Sequence, residues 1–388
     1  MKKSKFKHPY KVLHTPTTVG GNSQGLSEGL NINGIYSKTI SLKKNYLNYQ
    51  SDLVLWSDSD GLLIREIKRF IFIIKVLFTY KVIHYNFGTT IATPTFYLQG
   101  NDGPLRGNWR KIYYQYLDFL QLIELVVFKI FGKVLFITYQ GDDARQGNFL
   151  KNNFQISIAK QVDENYYTDV SDNWKRNSIK RIARYCNRIY AVNPDLLYVL
   201  PPTAKFVQYT NIKLEEWPYT PPQLDEKIPL KIIHAPSHMD VKGTKYIESI
   251  IKRLKMEGFH FEFMLIQGVS NQEAREQYKK GDILIDQLFA GWYGGVAVEA
   301  MALGKPVLAY IRESDLKFIP DEMRVDLPVI GVTVDSLYFE LRKILELPRS
   351  QLIDLSRRSR MYVEKWHDPV LIAKNIQADY ESFLWKKR

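Results

Sequence analysis

Residues 282–310, DILIDQLFAGWYGGVAVEAMALGKPVLAY, carry the pattern that decides the fold of this chain. The short apolar run at 283–285 is typical of a buried strand. A loop with two adjacent glycines follows, and the apolar segment 296–303 then predicts a helix that ends at Gly304. Residues 306–310 predict the next strand. Free amides at the start of such a helix bind anions, and glycines let a phosphate approach the backbone.

Glu299 is the one charged residue within the predicted helix. Burying a carboxylate among valines and alanines is costly unless the carboxylate has a partner. It lies one turn after the phosphate-facing end, where it could accept hydrogen bonds from a sugar diol. A structural salt bridge is the alternative interpretation.

The stretch resembles the donor site of the family 4 nucleotide-sugar glycosyltransferases. The matching residues are the glycine loop, Glu299 and the Ala-x-Gly-x-Pro-Val sequence at 302–307. The resemblance implies a retaining hexosyltransferase with an α/β, GT-B-like fold, in which two Rossmann-like domains have parallel sheets facing across a cleft. In the family this Glu binds the nucleotide ribose and the loop amides hold the diphosphate. The predicted donor-binding residues here are Tyr293, Gly294, Gly295, Val296 and Glu299. The family often has an earlier Glu, at the position of Gly291.

Bulk composition indicates a folded protein with anionic partners. The chain has 388 residues, which favours two domains. It has 45% hydrophobic residues and a formal charge of +13, which predicts nucleotide phosphates, anionic lipid or nucleic acid as partners. The single Cys186 excludes an intramolecular disulfide and favours a reducing compartment. The basic N-terminus lacks an apolar core typical of signal peptides, so we expect a cytoplasmic protein.

Strands that alternate with helices in the first half predict a parallel sheet with ligands beyond its strand ends. The adjacent glycines at 20–21 follow the first predicted strand, and the resemblance places a loop of this kind near the acceptor or the donor phosphate. Gly21 is therefore a predicted donor-binding residue. A structural turn is the alternative. After a later strand, Gly141 and Asp143 match a His-Gly-x-Asp sequence of the family, with Gln140 in the His position. The resemblance makes Asp143 and Gln140 candidate catalytic residues, whereas the alternative for Asp143 is a loop turn.

Segments 62–80 and 112–131 predict amphipathic helices. The first has basic residues on roughly one side, which indicates either a solvated edge of a packed helix or attachment to an anionic membrane surface. Arg176, Lys180, Arg184 and Arg188 predict a further basic stripe within 173–193.

The polar, proline-rich segment 213–229 predicts a linker. We therefore expect an acceptor-side domain at 1–225, a nucleotide-sugar domain at 226–366, and a last helix at 367–388 that packs back on the first domain. Lys242 and Gly243 fall at a predicted helix start, where an ammonium and helix amides hold a diphosphate. The family has a Lys-Gly pair with this role, so Lys242 and Gly243 are predicted donor-binding residues, and Lys242 is also a catalytic candidate. Ser237, just upstream, is a further predicted donor-binding residue. A surface lysine is the alternative.

The leading hypothesis is a glycosyltransferase of cell-surface polysaccharide synthesis, acting on a glycan or lipid-linked acceptor. The nucleotide sugar is a co-substrate, and we expect no cofactor, no metal and no nucleic-acid partner. Peripheral attachment to the inner membrane face is a further expectation. The alternatives are a nucleotide-sugar epimerase or hydrolase, and a non-catalytic binding module motivated by Gly291 and Gln140.

Overall fold

The computed structural model describes residues 8–44, 49–92 and 107–385, and its chain forms two compact units. Unit 1 comprises Met1–Gln146, Asp169–Asn211 and Pro369–Arg388, and unit 2 comprises Gly147–Thr168 and Ile212–Asp368. Each unit is built on one parallel sheet, with seven strands in unit 1 and five in unit 2. The predicted α/β class with two Rossmann-like parallel sheets is confirmed.

The sheet of unit 1 has the strand order β3-β2-β1-β4-β5-β6-β7, and every pairing is parallel. Its central strands β4 and β5 are buried along their whole length, as expected for a parallel sheet covered on both faces. The strands are β1 Lys11–Thr15, β2 Tyr36–Ser41, β3 Leu53–Val54, β4 Val82–Asn86, β5 Val134–Tyr139, β6 Arg188–Ala191 and β7 Lys205–Phe206.

The helices of unit 1 cover this sheet, and the last one returns from the far end of the chain. They are α1 Asn22–Ile32, α2 Leu62–Thr79, α3 Gly107–Ile130, α5 Asp169–Ala183 and α13 Pro369–Leu384. The final helix packs on α1 at Gly29, where a Cβ would lie 2.3 Å from the carbonyl oxygen of Pro369. It also reaches the sheet, since the Tyr380 hydroxyl lies 2.6 Å from Nδ1 of His84.

Unit 2 repeats the architecture with the strand order β12-β11-β10-β8-β9, again entirely parallel. Its strands are β8 Leu230–His234, β9 Phe261–Leu265, β10 Ile283–Ile285, β11 Val307–Ala309 and β12 Ile330–Gly331. Its helices are α4 Gly147–Asn153, α6 Met239–Lys242, α7 Thr244–Met256, α8 Asn271–Lys280, α9 Gly295–Ala302, α10 Asp321–Asp326, α11 Leu337–Leu345 and α12 Arg349–Trp366. Short 3-10 turns in the two units span Val19–Gly21, Ile158–Lys160, Pro194–Tyr198, Leu214–Glu216 and Glu313–Phe318.

The proline-rich segment expected as a linker is a packed part of unit 2, so the predicted boundary at 225/226 differs from the observed one at 211/212. Trp217 is 1% exposed, and the Arg275 guanidinium lies 4.6 Å from its ring centroid. The amide of Thr220 donates to the Leu303 carbonyl at 2.9 Å. One buried aromatic ring thus fixes a segment whose average composition is that of a linker.

Residues 147–168, expected in the first domain, also belong to unit 2. The Tyr246 hydroxyl donates to Gln161 Oε1 at 3.1 Å, and the Arg312 guanidinium donates to the Ile156 carbonyl at 3.0 Å. The same guanidinium lies 3.7 Å from the ring centroid of Phe154. These contacts join side chains far apart in sequence, which is why local patterns did not indicate them.

The basic stripes also differ from their predictions. Helix α5 ends at Ala183, and Arg188 begins β6, so the stripe expected within 173–193 does not continue along one helix. On α2, Arg69 is 1% exposed because its guanidinium donates to Glu66 and to the carbonyls of Ile91 and Ala92. The side of α2 that faces solvent is instead largely apolar.

Candidate functional site

Two charged side chains meet beyond the carboxyl ends of neighbouring strands in unit 2. Lys242 comes after β8 and Asp286 directly after β10, and these strands pair in parallel. The Lys242 ammonium lies 2.7 Å from Asp286 Oδ1 and 3.2 Å from Gln287 Oε1. Both charged residues are at least nine-tenths buried. Ligands of open parallel sheets collect at this edge, so the ion pair occupies the expected position for a binding site.

The same carboxylate also holds the glycine loop. Asp286 Oδ2 accepts a hydrogen bond from the Gly294 amide at 2.6 Å. A Cβ on Gly294 would lie 3.1 Å from the Lys242 ammonium and 3.3 Å from Asp286 Oδ2, so a glycine lets the loop approach the pair. The Gln287 side-chain amide donates to the Trp292 carbonyl and closes the loop from its other side. Asp286 therefore orients a cation and a backbone N–H group together.

Helix α9 starts at this loop. The amides of Ala297 and Val298 donate to the Gly294 carbonyl, at 3.1 and 3.4 Å. Gly294, Gly295 and Val296 are half-buried, so the helix N-terminus keeps contact with solvent. A helix N-terminus carries partial positive charge. Together with the Lys242 ammonium it makes a position that favours an anionic group.

Glu299 is 2% exposed within α9, as its apolar neighbours predict. Its Oε1 lies 3.5 Å from the side-chain amide nitrogen of Asn271, the first residue of α8. That contact is a hydrogen bond from a neutral amide. Burial, together with the nearby Glu299 carboxylate, raises the pKa of the Tyr278 hydroxyl on α8.

The turn before α7 differs from the predicted helix start. Lys242 ends the short helix α6, which is capped by the His238 ring, and α7 begins only at Thr244. Gly243 separates the two with φ +82°, a left-handed conformation that favours glycine. Ser237 lies exposed two residues before α6. The Lys242 side chain is therefore set by the ion pair with Asp286, not by a place in the first turn of α7.

The Tyr293 side chain, predicted to bind the donor, points into the core of unit 2. It is fully buried, with its hydroxyl 2.8 Å from the Tyr362 hydroxyl and 2.8 Å from Nε2 of His367. It anchors the glycine loop on α12. Donor binding by Tyr293 stays a prediction.

Gly291, where the resembling family often has a Glu, has φ +85°. A Cβ there would lie 2.5 Å from Arg312 Nη1 and 3.0 Å from Asp315 Oδ2. These two residues form a buried ion pair of 2.8 Å. The backbone and its surroundings therefore both select glycine at this position.

In unit 1, the loop after β5 meets the glycines after β1. The Gln140 side chain accepts a hydrogen bond from Asn22 Nδ2 at 3.0 Å, and a Cβ on Gly20 would lie 3.2 Å from the same Gln140 oxygen. A Cβ on Gly21 would lie 3.0 Å from the Tyr49 ring. Gly21 and Gln140 are thus brought into one neighbourhood lined by neutral polar groups.

Asp143 is 2% exposed and serves its own loop. Its carboxylate accepts hydrogen bonds from the amides of Gln140, at 3.0 Å, and Gly141, at 2.6 Å. Burial raises the pKa of this carboxyl to about 6, against the lowering effect of those amides. This geometry favours the loop-turn alternative for Asp143, although its carboxylate is buried and not solvated as that alternative assumed. Because the carboxylate binds the backbone amide of Gln140, Asp143 positions Gln140.

Asp286 is the site residue that the sequence analysis missed. Its signal was present, because an Asp directly after a buried strand falls at the same sheet edge as Lys242 if the two strands are neighbours. Only the order of strands in the folded sheet shows that β8 and β10 are neighbours. Asn22 was missed for the same reason, since its partner Gln140 is distant in sequence.

Among residues 8–44, 49–92 and 107–385, no group of three or more His, Cys, Asp or Glu could hold a metal ion. The same residues include no helix with the length and apolar character needed to span a bilayer. The absence of a metal and of other cofactors in the reaction stays a prediction.

No family model matches the chain, and no curated protein matches it. Solved structures do. Sucrose-phosphate synthase from Thermosynechococcus elongatus is 15% identical with a TM-score of 0.57, covering 97% of this chain and 99% of the other. HepE from Anabaena, in complex with UDP-glucose, is 10% identical with a TM-score of 0.58, covering 96% and 100%. An alpha-glucosyltransferase in complex with UDP and a 13-mer DNA is 10% identical with a TM-score of 0.56, covering 96% and 99%.

These similarities extend over nearly the whole chain and show that it has the fold of GT-B-type glycosyltransferases. At such low identities they do not identify its substrates. One of the three proteins is seen with DNA, so the expectation that this chain binds no nucleic acid gains no support and stays a prediction.

Proposed function

We propose that this protein is a retaining glycosyltransferase of the family 4 type, which transfers a hexosyl group from a nucleotide-diphosphate sugar to a glycan or lipid-linked acceptor. The observation that carries the proposal is the arrangement of the Lys242 ammonium, the Gly294 loop and the α9 N-terminus around one spot at the sheet edge of unit 2. A cation and helix amides converging on one position suit a diphosphate. Cell-surface polysaccharide synthesis at the inner membrane face is the proposed setting.

In this proposal the bond between the sugar anomeric carbon and the diphosphate oxygen breaks, and a bond to an acceptor hydroxyl oxygen forms. The acceptor proton leaves with the departing diphosphate. Lys242 and the amides of Gly295 and Val296 stabilise the negative charge that develops on that leaving group, where preorganised donors have the largest effect. Asp286 holds Lys242 in place. Gln140 contacts sugar or acceptor hydroxyls, and Asp143 positions Gln140.

Gly291 is the specific observation that favours a second candidate, a module that binds the nucleotide sugar without turning it over. No side chain fits at Gly291 without displacing Arg312, so a Glu contact to the donor sugar from this position is lost. Product analysis separates the candidates. A new glycosidic bond identifies a transferase, a changed sugar an epimerase, free sugar a hydrolase, and an unchanged donor the binding module.

The first experiment is thermal denaturation against nucleoside diphosphates and their sugars. A ligand present at about 100 times its Kd stabilises the folded state by about 2.7 kcal/mol, so one nucleotide should raise the melting temperature selectively. Since HepE and the alpha-glucosyltransferase are seen with UDP-glucose and UDP, uridine compounds are the first to test. A panel without any shift would contradict donor binding.

Glu299→Gln sharpens the same measurement. Weakening a ribose hydrogen bond to a carboxylate should lower the affinity for UDP roughly tenfold, with a smaller loss for the 2′-deoxy compound. Glu248→Gln, at an exposed position on α7, is the matched control. Equal losses for both nucleotides would show that Glu299 supports the helix and does not contact the ribose.

A further inference from the structure

The outward side of α2 carries exposed apolar side chains along its whole length. Its exposed residues recur at helical spacing, and the inward side carries Phe72 and Val76 in the core. Large apolar side chains on the outward side are between 48% and 76% exposed: Leu63, Ile64, Ile67, Phe70, Ile71, Ile74 and Phe78. A helix of a soluble protein normally shows charged and polar residues there. The exposed stripe therefore indicates that another apolar phase covers it.

Helix α3 has a second stripe of the same kind. Its inward side carries Leu125 and Phe128 in the same core cluster as α2. Its outward side exposes Trp109, Ile112, Phe119, Leu122, Ile123 and Ile130, with exposed fractions from 38% to 73%. Trp and Phe beside aliphatic residues are typical of helices that lie at a membrane interface.

The two stripes lie side by side on the same face of unit 1. The Glu66 carboxylate of α2 accepts hydrogen bonds from two α3 hydroxyls, Tyr113 at 2.7 Å and Tyr116 at 2.9 Å. Because both helices place their inward sides in one core, their outward sides point the same way. Together they form one exposed apolar surface, which we call the α2–α3 face. Large contiguous apolar surfaces that are exposed to solvent mark interaction sites.

Cations border this face. Helix α5 lies next to α3, since Arg181 donates to Asp118 Oδ1 at 3.2 Å and to Gln121 Oε1 at 3.0 Å. The exposed residues at its C-terminal end include Lys180 and Arg184, and α2 and α3 themselves expose Lys75, Lys111 and Lys129. The acids of α2 and α3 are not fully exposed: Glu66 and Asp118 are partly buried and engaged, and Glu124 is buried. An apolar centre with a basic border matches an anionic bilayer surface.

We propose that the α2–α3 face inserts into the interface of an anionic membrane, with both helices parallel to its plane and the bordering cations on lipid headgroups. Two helices with this charge pattern can lie in an interface but not cross it. A second copy of the chain fits the face less well, because self-pairing would bring two basic borders together. The inference goes beyond the proposed sugar transfer and assigns the lipid-facing surface that would meet a lipid-linked acceptor.

The test is sedimentation of the full chain with phosphatidylcholine vesicles, with and without added phosphatidylglycerol. We expect binding only when the anionic lipid is present, and release by salt. Ile71→Asp with Phe78→Asp should lower the partitioning at least about tenfold, because both side chains leave the apolar phase. Val325→Asp with Phe339→Asp is the matched control, since it adds the same charge at similarly exposed apolar positions of unit 2.

Several outcomes would overturn the proposal. One is that the chain sediments with neither type of vesicle, and another is that it binds neutral and anionic vesicles equally. A third is that the α2 double variant binds vesicles as well as the parent chain does while both have the same melting temperature. A dimer in solution that the α2 variant dissociates, without vesicle binding, would assign the face to self-association. Because no nucleotide is needed for sedimentation, its failure is separate from failure of nucleotide-dependent stabilisation, which tests the proposed function.

Discussion

The first strand of each unit leads into its helix through the same kind of turn, but the two turns carry different chemistry. In unit 1, β1 is followed by a 3-10 turn, and Gly21 at φ +73° caps α1. In unit 2, β8 is followed by the short helix α6, and Gly243 at φ +82° caps α7. A left-handed glycine thus caps the first long helix after that strand in both units, and the backbone alone does not distinguish the two turns.

The residue before each glycine does distinguish them. In unit 2 it is Lys242, whose ammonium pairs with Asp286 at 2.7 Å. In unit 1 it is Gly20, which leaves space beside the neutral amides of Gln140 and Asn22. An ammonium suits a charged diphosphate, whereas amides match the donors and acceptors of uncharged hydroxyls. One backbone design with different side chains would thus suit a charged ligand in unit 2 and a neutral one in unit 1, as the proposed division between donor and acceptor requires.

The largest expected effect is that of Lys242→Ala on turnover. Removing one preorganised donor to a developing negative charge lowers kcat about 10²–10³-fold, and we expect a loss in this range. Initial rates with saturating donor sugar measure it. Lys245→Ala, an exposed lysine on the next helix, is the control and should keep full activity.

A second variant separates lost catalysis from lost stability. Lys242→Ala leaves the Asp286 carboxylate buried without its cation, which destabilises a protein by about 3–5 kcal/mol. Lys242→Ala with Asp286→Asn removes that unpaired charge. A double variant that stays inactive but regains its melting temperature supports a role for Lys242 on the diphosphate. Recovered activity would show that Lys242 only neutralises Asp286, and the contrast between the two turns would lose its functional meaning.

The capping glycines give the next effect. Gly243→Ala combines a left-handed backbone with a Cβ only 2.8 Å from the Phe289 ring, so we expect a loss of about 2 kcal/mol in the free energy of unfolding. Gly21→Ala should cost somewhat less, since its Cβ would lie 3.0 Å from the more exposed Tyr49 region. Gly258→Ala isolates the backbone cost, because φ is +89° there and no atom lies within 4 Å of the Cβ. Urea denaturation at constant pH measures all three.

Equal losses at the three glycines would show that backbone strain accounts for the whole effect. The crowding of the two turns would then add nothing to their stability. A larger loss at Gly243 than at Gly258 supports close packing of the α6–α7 turn against the loop that contains Phe289.

The fold could be predicted because its signals are local. Apolar runs such as 283–285 and 134–138 must be strands when they are too short for helices, and their alternation with helices requires a parallel sheet. Glu299 could be predicted as buried for the same kind of reason, since every close neighbour in its helix is apolar. The pairing of Lys242 with Asp286 depends on the strand order instead. No local pattern in the sequence specifies that β8 and β10 are neighbours.

The local sequence also did not indicate that Tyr293 is buried or that residues 147–168 belong to unit 2. From the sequence alone, a tyrosine in a glycine loop is as compatible with a ligand contact as with a buried position. Its hydroxyl contacts with Tyr362 on α12 and with His367 could not be read from the neighbouring residues. Composition likewise indicated a linker at 213–229, where Trp217 provides an anchor for the segment. In each case one long-range contact outweighs the average character of a segment.

The smallest effect concerns the buried histidine near the end of each first strand. His234 is held on both sides: its ring lies 2.8 Å from the Ile285 carbonyl and 2.9 Å from the Thr244 hydroxyl. Neither ring nitrogen of His14 has a hydrogen-bond partner among the described residues. Burial lowers the pKa of His14 to about 3 and that of His234 to about 4, so both are neutral in the folded protein.

A depressed histidine pKa makes folding sensitive to acid. The unfolded chain binds protons below its pKa of about 6.5 while the folded chain does not, so the free energy of unfolding falls as the pH drops below that value. One pH unit below, each histidine contributes a loss of about 1.4 kcal/mol. His14→Leu should remove that loss with little change at pH 7.5, because no hydrogen bond is given up. His234→Leu should also cost about 1–3 kcal/mol at pH 7.5, since it leaves the Thr244 hydroxyl unpaired. Urea denaturation at pH 7.5 and 5.5 measures both variants, and equal costs at pH 7.5 would show that the two histidines are held alike.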